Sequence, residues 1–308
     1  MTTTATKKPI PWWRGQTPTA VLLVIIIALA IWTVVNGSGA ASGVSPMTTA
    51  KGAVLVGVGL LAGLLGGLIG TGGCSVMLPV IHFWMGYPAQ IAVGTTLFAV
   101  IFTALSGAYG HLVRRNVDKR AFLWLGGGGV LGVLLGSWLF TLFSSSAALL
   151  GLILGLIFLW PAIRMVYEGL IQKTMPKREG TAIPGSGWGM AGFGFVVGIA
   201  TGLAGVGGGY ALVPGMIYLF GAPVYITMGT SLATMIPLAV VGGGIKLAQG
   251  FVDLSTGLLL AAGTIVGAQV GAAIIKRIKP STLKLIFGLY FLYVAVKFIT
   301  AFFGIRIW

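Results

Sequence analysis

The stretch "GLIGTGGCSVMLP" at residues 67–79 interrupts a long apolar run with four glycines and holds the only cysteine of the 308-residue chain. Glycine at this density lets a chain turn tightly and lets a neighbour touch the backbone, at the expense of helix stability. The pattern returns as "GLAGVGGGYALVP" at 202–214, a shift of 135 residues. The same register aligns "VGTTLFA" (93–99) with "MGTSLAT" (228–234), Asp118 with Asp253, and Gly132 and Gly136 with Gly267 and Gly271. After a two-residue slip, Gly155 falls on Gly288 and Arg164 on Lys297. Chance does not hold one register so far, and the break is a duplicated feature.

The chain reads as an extra N-terminal helix followed by two homologous halves. The boundaries are 1–50 for the tail and extra helix, 51–170 for the first half, 171–187 for a linker and 188–308 for the second half. The linker region, "EGLIQKTMPKREGTAIPGSG", is polar, basic and rich in Pro and Gly. In the first half a Gly-rich apolar segment (54–69) leads to the break, a short segment (74–85), a turn at 86–88 and helices over 89–111, 120–143 and 147–168. The second half repeats this order at 189–204, 209–220, 224–248, 254–275 and 281–303. A helix of about 12 residues covers only about 18 Å, so the short segments do not span a bilayer.

Apolar residues make up 57% of the chain and charged residues 7%, with a mean hydropathy of +1.03. Ordinary soluble domains carry roughly 25% charge. Apolar stretches of about 18 residues or more recur, each long enough to cross about 30 Å of hydrocarbon, so the chain reads as an all-α polytopic membrane protein. The net charge of +15 sits in short loops and ends. That placement is the positive-inside pattern and not a nucleic-acid face. A single cysteine excludes an internal disulfide, and without a Cys/His cluster no metal and no cofactor is expected. Lys7, Lys8 and Arg14 precede an apolar run over 19–35 that is long for a signal sequence, so it reads as a retained helix.

Charge also orders the crossings. With the N-terminus cytoplasmic, Lys51 lies outside and the loop "RRNVDKR" (114–120) belongs inside. This holds if 54–85 form a re-entrant hairpin, entering and leaving by one face, and 89–111 supply the single crossing. Continuing the count puts the linker and "KRIK" (276–279) inside, so the second half enters from the opposite side. The expected architecture is two inverted-topology repeats, each with a Gly-broken re-entrant hairpin and three transmembrane helices.

Inverted repeats with broken helices place substrate near the midplane, between the repeats. Two hairpins from opposite faces bring "GTGGCS" and "GVGGGY" together there, and the helices that begin near Ser75 and Tyr210 aim free N–H groups and positive dipole ends at one point. An anionic substrate follows. The expected contacts are Thr71, Gly72, Gly73, Cys74 and Ser75 in one tip and Gly207, Gly208, Gly209 and Tyr210 in the other. Thr95, Thr96, Thr230 and Ser231 join them from about two turns into the following helices. The alternatives are structural. Gly132, Gly136, Gly267 and Gly271 read as helix-packing positions. Thr96 and Ser231 either face the cavity or bond their own helix carbonyls. Cys74, opposite Gly209 in the repeat, is either a contact or small packing.

The only acidic residues are Asp118, Glu168, Glu179 and Asp253, all in or near loops, with Asp118 and Asp253 placed as helix N-caps. No carboxylate is set in the core as a proton relay. His82 and His111, towards segment ends, are expected at the interfaces. Lys246 aligns with His111 and either draws anions into a vestibule or snorkels. An enzyme is disfavoured, because the chain has no nucleophile-elbow or HExxH motif and almost no intramembrane acid or base.

At "GTGGCSVMLP", "GVGGGYALVP", "GTTL" and "GTSL", over about 51–304, the chain resembles the sulfite exporter TauE/SafE family of membrane transporters, also called the toluene sulfonate uptake permease group. The resemblance implies a multi-pass carrier in the plasma (inner) membrane for sulfite or an organosulfonate such as sulfoacetate. The partners are then the small anion, the lipid bilayer and either protons or another coupling ion. An anion channel or uncoupled uniporter is the alternative, favoured by the absence of an embedded proton carrier.

Overall fold

The computed structural model describes residues 16–37, 39–170, 180, 182–274 and 280–305. Lys7, Lys8 and Arg14, most of the linker (171–179 and 181) and the loop 276–279 lie outside the described residues. Among those described there is no strand, and the helices are α1 (Thr17–Val35), α2 (Thr49–Ile69), α3 (Cys74–Pro79), α4 (Ala89–Val113), α5 (Lys119–Phe143), α6 (Ala147–Leu170), α7 (Gly187–Ala204), α8 (Gly209–Tyr218), α9 (Val224–Ala248), α10 (Leu254–Ile274) and α11 (Pro280–Phe302). Eight of these are long and apolar enough to cross a membrane. Large apolar side chains such as Val24, Leu123, Leu131 and Trp188 point outward, as a protein solvated by lipid requires.

The short elements end where the chemistry ends them. Pro79 cannot donate to the helical ladder, and after it the chain continues as one π turn, Val80–Trp84, before the loop to Pro88. Helix α2 starts at Thr49, five residues before the expected 54, because the Thr48 side chain accepts the Lys51 N–H as an N-cap. At 21 residues, α2 is about 31 Å long and reaches across a bilayer by length alone.

Three helix pairs dominate the packing, α6 with α11 and the two described next, and each joins one half of the chain to the other. The faces of Gly59, Gly63 and Gly67 on α2 lie against the backbones of Leu260, Thr264 and Ala268 on α10, while Gly263, Gly267 and Gly271 lie against α2 in return. On α5, Gly128, Gly132 and Gly136 lie against Ala191, Phe195 and Ile199 of α7, and Gly194, Gly198 and Gly202 reciprocate. Ascending numbers meet ascending numbers, so both pairs run parallel. Small-residue stripes let the backbones approach where lipid supplies no hydrophobic drive.

The central pair, α4 and α9, runs antiparallel: Gly94 meets the Phe251 carbonyl and Gly229 meets that of Asn116. The outer ends of the first broken hairpin meet, with Lys51 Nζ 4.7 Å above the Tyr87 ring and Tyr87 Oη 2.5 Å from Thr256 Oγ1. In the second, Phe220 at the end of the return arm packs 6.0 Å from Phe193 near the start of α7. Helix α1 adds a thin stripe, Ile26 and Ala30, against Leu258, Ala261, Ala262 and Ile265 of α10.

Candidate functional site

Each tip turns on three glycines with positive φ, +81°, +73° and +73° at Gly70, Gly72 and Gly73 and +66°, +69° and +78° at Gly205, Gly207 and Gly208. That backbone region is closed to most L-residues, and the matching values make the two tips near copies. The tips touch. The Cys74 thiol donates to the Val206 carbonyl, and Gly209 lies against the Gly70 carbonyl and the Thr71 backbone. Gly72 and Gly207 both face the Met235 Cε and Val100 side-chain atoms. Val100 and Met235 are themselves related by the 135-residue shift, each near the middle of its 25-residue helix. Thr71, Cys74, Ser75 and Tyr210 are all buried.

The four hydroxyl residues of α4 and α9 divide. Ser231 reaches the tip, donating its Oγ to the Gly70 carbonyl at 2.8 Å. Thr96 bonds back to Ala92 of its own helix at 2.7 Å. Thr95 and Thr230 serve elsewhere: Thr95 Oγ1 accepts the Asp253 N–H, and Thr230 Oγ1 accepts the Asp118 N–H, both at 2.9 Å. Each therefore supports the start of a helix in the other half. The Asp side chains complete these junctions, Asp118 accepting from Arg120, Ala121 and Ile183, and Asp253 from Thr256 and Ala41.

His111 and Lys246, each in the last turn of its helix, are both enclosed within the protein. His111 is fully buried with Nε2 3.2 Å from the Gly67 carbonyl. Lys246 is fully buried, donates to the Gly202 carbonyl and sits 4.2 Å above the Phe140 ring. Gly67 and Gly202 are again 135 residues apart, so each cation-capable side chain holds the carbonyl end of the inward arm in its own half. His82, half-buried, meets the Tyr87 carbonyl through Nδ1 at 2.7 Å and stacks on Phe298 at 5.3 Å.

Arg164 and Lys297, aligned by the repeat, both lie over an aromatic ring of the return arm in the structure. Arg164 Nε is 2.8 Å from Glu168 Oε1, and its guanidinium lies 4.3 Å over Tyr218 at the end of α8. Lys297 lies 4.8 Å over Phe83, the repeat equivalent of Tyr218. Among the described residues no group of three or more His, Cys, Asp or Glu side chains is placed to hold a metal ion.

The profile of the family "Sulfite exporter TauE/SafE" matches residues 54–298, which takes in both tips and leaves out α1. The chain is 28% identical over 264 residues to probable membrane transporter protein YunE of Bacillus subtilis, covering 80% of this chain and 96% of that one. It is 30% identical over 213 residues to probable membrane transporter protein YdhB of the same organism, covering 69% and 85% respectively. A probable membrane transporter protein of Methanocaldococcus jannaschii is 28% identical over 247 residues, covering 75% of this chain and 89% of its own. No solved structure matches. With its profile running from the first arm of one broken hairpin to the last helix of the other half, the chain belongs to the sulfite exporter TauE/SafE family.

Proposed function

We propose that this multi-pass membrane transporter is a secondary carrier that moves a small sulfur-containing anion, sulfite or an organosulfonate such as sulfoacetate, across the plasma membrane by alternating access. The observation that carries the reading is the meeting of the two glycine tips beside Val100 and Met235, halfway along the two central helices. Broken helices that converge at mid-depth supply backbone N–H groups and positive dipole ends without an ion placed in hydrocarbon beforehand. Thr71, Gly72, Gly73, Cys74 and Ser75, with Gly207, Gly208, Gly209 and Tyr210, are the proposed contacts, and Ser231 holds one tip in place.

In this reading residues 51–170 and 188–308 are inverted-topology halves joined by a cytoplasmic linker, and the N-terminus is cytoplasmic. The antiparallel run of α4 against α9, equivalent helices in the two halves, supports the inversion. So do the hairpin ends, which close beside the start of α10 in one half and against Gly185, just before α7, in the other. A channel or uncoupled uniporter is distinguished by kinetics.

The test is uptake of sulfite into liposomes of purified protein, against sulfoacetate, sulfate, phosphate and acetate, with and without an imposed pH gradient or membrane potential. Saturable, selective uptake of a sulfur oxyanion with accelerated exchange is the expected result. Linear flux without counterflow identifies a pore, and no anion flux from folded protein removes the reading.

A further inference from the structure

A narrow pocket of about 30 Å³ opens against the tips between α6 and α8, walled by Thr71, Tyr210, Arg164, Glu168 and Tyr218 and by apolar residues of α8. We propose that this pocket is the loading site of the anion, where Arg164 supplies the compensating charge and the Tyr210 hydroxyl supplies a selecting hydrogen bond. The proposal rests on the anion-carrier reading above and adds where, and through which side chains, the anion is received.

Two independent observations point to a ligand. Tyr210 is 5% exposed, and its Oη has no hydrogen-bond partner although the ring is held in a stack 6.4 Å from Phe158. Buried hydroxyls are rarely left unpaired, because the lost bond to water is not recovered. The second is the charge. Arg164 is the cation at this pocket, engaged by Glu168 at Nε, while Tyr218 joins the same cluster. A guanidinium carries five N–H donors in a planar fork that suits an oxyanion with two oxygens in one plane. An apolar wall on one side and a short row of donors on the other is the usual build of a small-ligand site.

The size of the pocket adds a mechanism. At about 30 Å³ the pocket is small, and in this proposal it widens as α6 and α8 separate to admit a sulfur oxyanion. The contact that joins α6 to α8 at the mouth is the Arg164 guanidinium on Tyr218, while the Arg164–Glu168 pair lies within α6. The arriving anion then replaces Glu168 as the partner of Arg164, so the charge that attracts it also holds the mouth shut without it. The repeat does not duplicate this site: Val206 and Ser75 stand where Thr71 and Tyr210 stand, and Lys297 stands in place of Arg164. Loading is accordingly asymmetric between the two halves.

Concentration-dependent sulfite uptake into liposomes, read with thermal melting of the purified protein, tests this. Tyr210→Phe removes only an unpaired hydroxyl, so its melting temperature is expected to stay or rise while the KM for sulfite rises at least tenfold. Arg164→Gln is expected to raise KM tenfold or more, with partial recovery in Arg164→Lys, and Glu168→Gln to lower KM. A Tyr210→Phe protein that melts as wild type and transports sulfite with wild-type KM overturns the proposal while leaving the carrier reading intact. Wild-type protein that takes up none of the sulfur oxyanions overturns both.

Discussion

At the scale of single residues, the tips depend on backbone shape more than on any one functional group. Gly207 has φ of +69°, and a Cβ there meets Met235 Cε and the Val100 side chain. Gly207→Ala is expected to cost about 1–2 kcal/mol in backbone strain and to cut anion flux at least tenfold while membrane insertion is retained. Flux equal to wild type removes the second tip from the transport path. The Cys74 thiol donates to Val206 and tethers one tip to the other. Cys74→Ser preserves a donor of similar size and is expected to keep at least half of the flux, whereas Cys74→Ala is expected to lose more. Equal flux in both variants reduces Cys74 to packing. The roles of Thr95 and Thr230 were not legible in sequence, because the N–H groups they bind are more than a hundred residues away in the chain.

At the scale of elements, glycine spacing was readable and partner choice was not. The repeat of small residues along α2, α5, α7 and α10 announces close helix contacts, yet nothing local states that α2 pairs with α10 and α5 with α7. The pairing makes a sharp contrast testable within one helix. A methyl on Gly63 runs into the Thr264 backbone, while one on Gly57 meets nothing within 4 Å. Gly63→Ala is expected to destabilise the protein by about 1–3 kcal/mol through overpacking. Gly57→Ala is expected to be neutral or to stabilise by about 0.5–1 kcal/mol through helix propensity. Melting in detergent measures both, and equal shifts refute the parallel α2–α10 interface.

At the scale of the whole molecule, the two halves embrace instead of standing side by side. Each half lends the first arm of its hairpin to the other half, and Asp118 and Asp253 bind the extended chain that leads into α7 and α2 respectively. In the proposed alternating access, such cross-bracing would couple movement in one half to the tip of the other. The orientation proposed above predicts that Arg115→Cys is unreactive to an impermeant maleimide applied outside intact cells, while Ser145→Cys, across the membrane on the far end of α5, reacts. The reverse pattern inverts the topology. Cys74 is buried and contributes no background.

The sequence by itself determined the membrane class, the duplication, the helix boundaries to within a few residues and the two glycine breaks. All of these follow from composition, periodicity and backbone chemistry, which act over short stretches of chain. Only the tertiary structure decided which helices pair across the halves, that Val100 and Met235 flank the meeting tips, that Thr95 and Thr230 brace the capping aspartates of distant helices, and that His111 and Lys246 lie buried. The reason is physical: these contacts join residues far apart in the chain, and their partners are chosen by the three-dimensional fit of small-residue faces and backbone carbonyls, which no local pattern encodes.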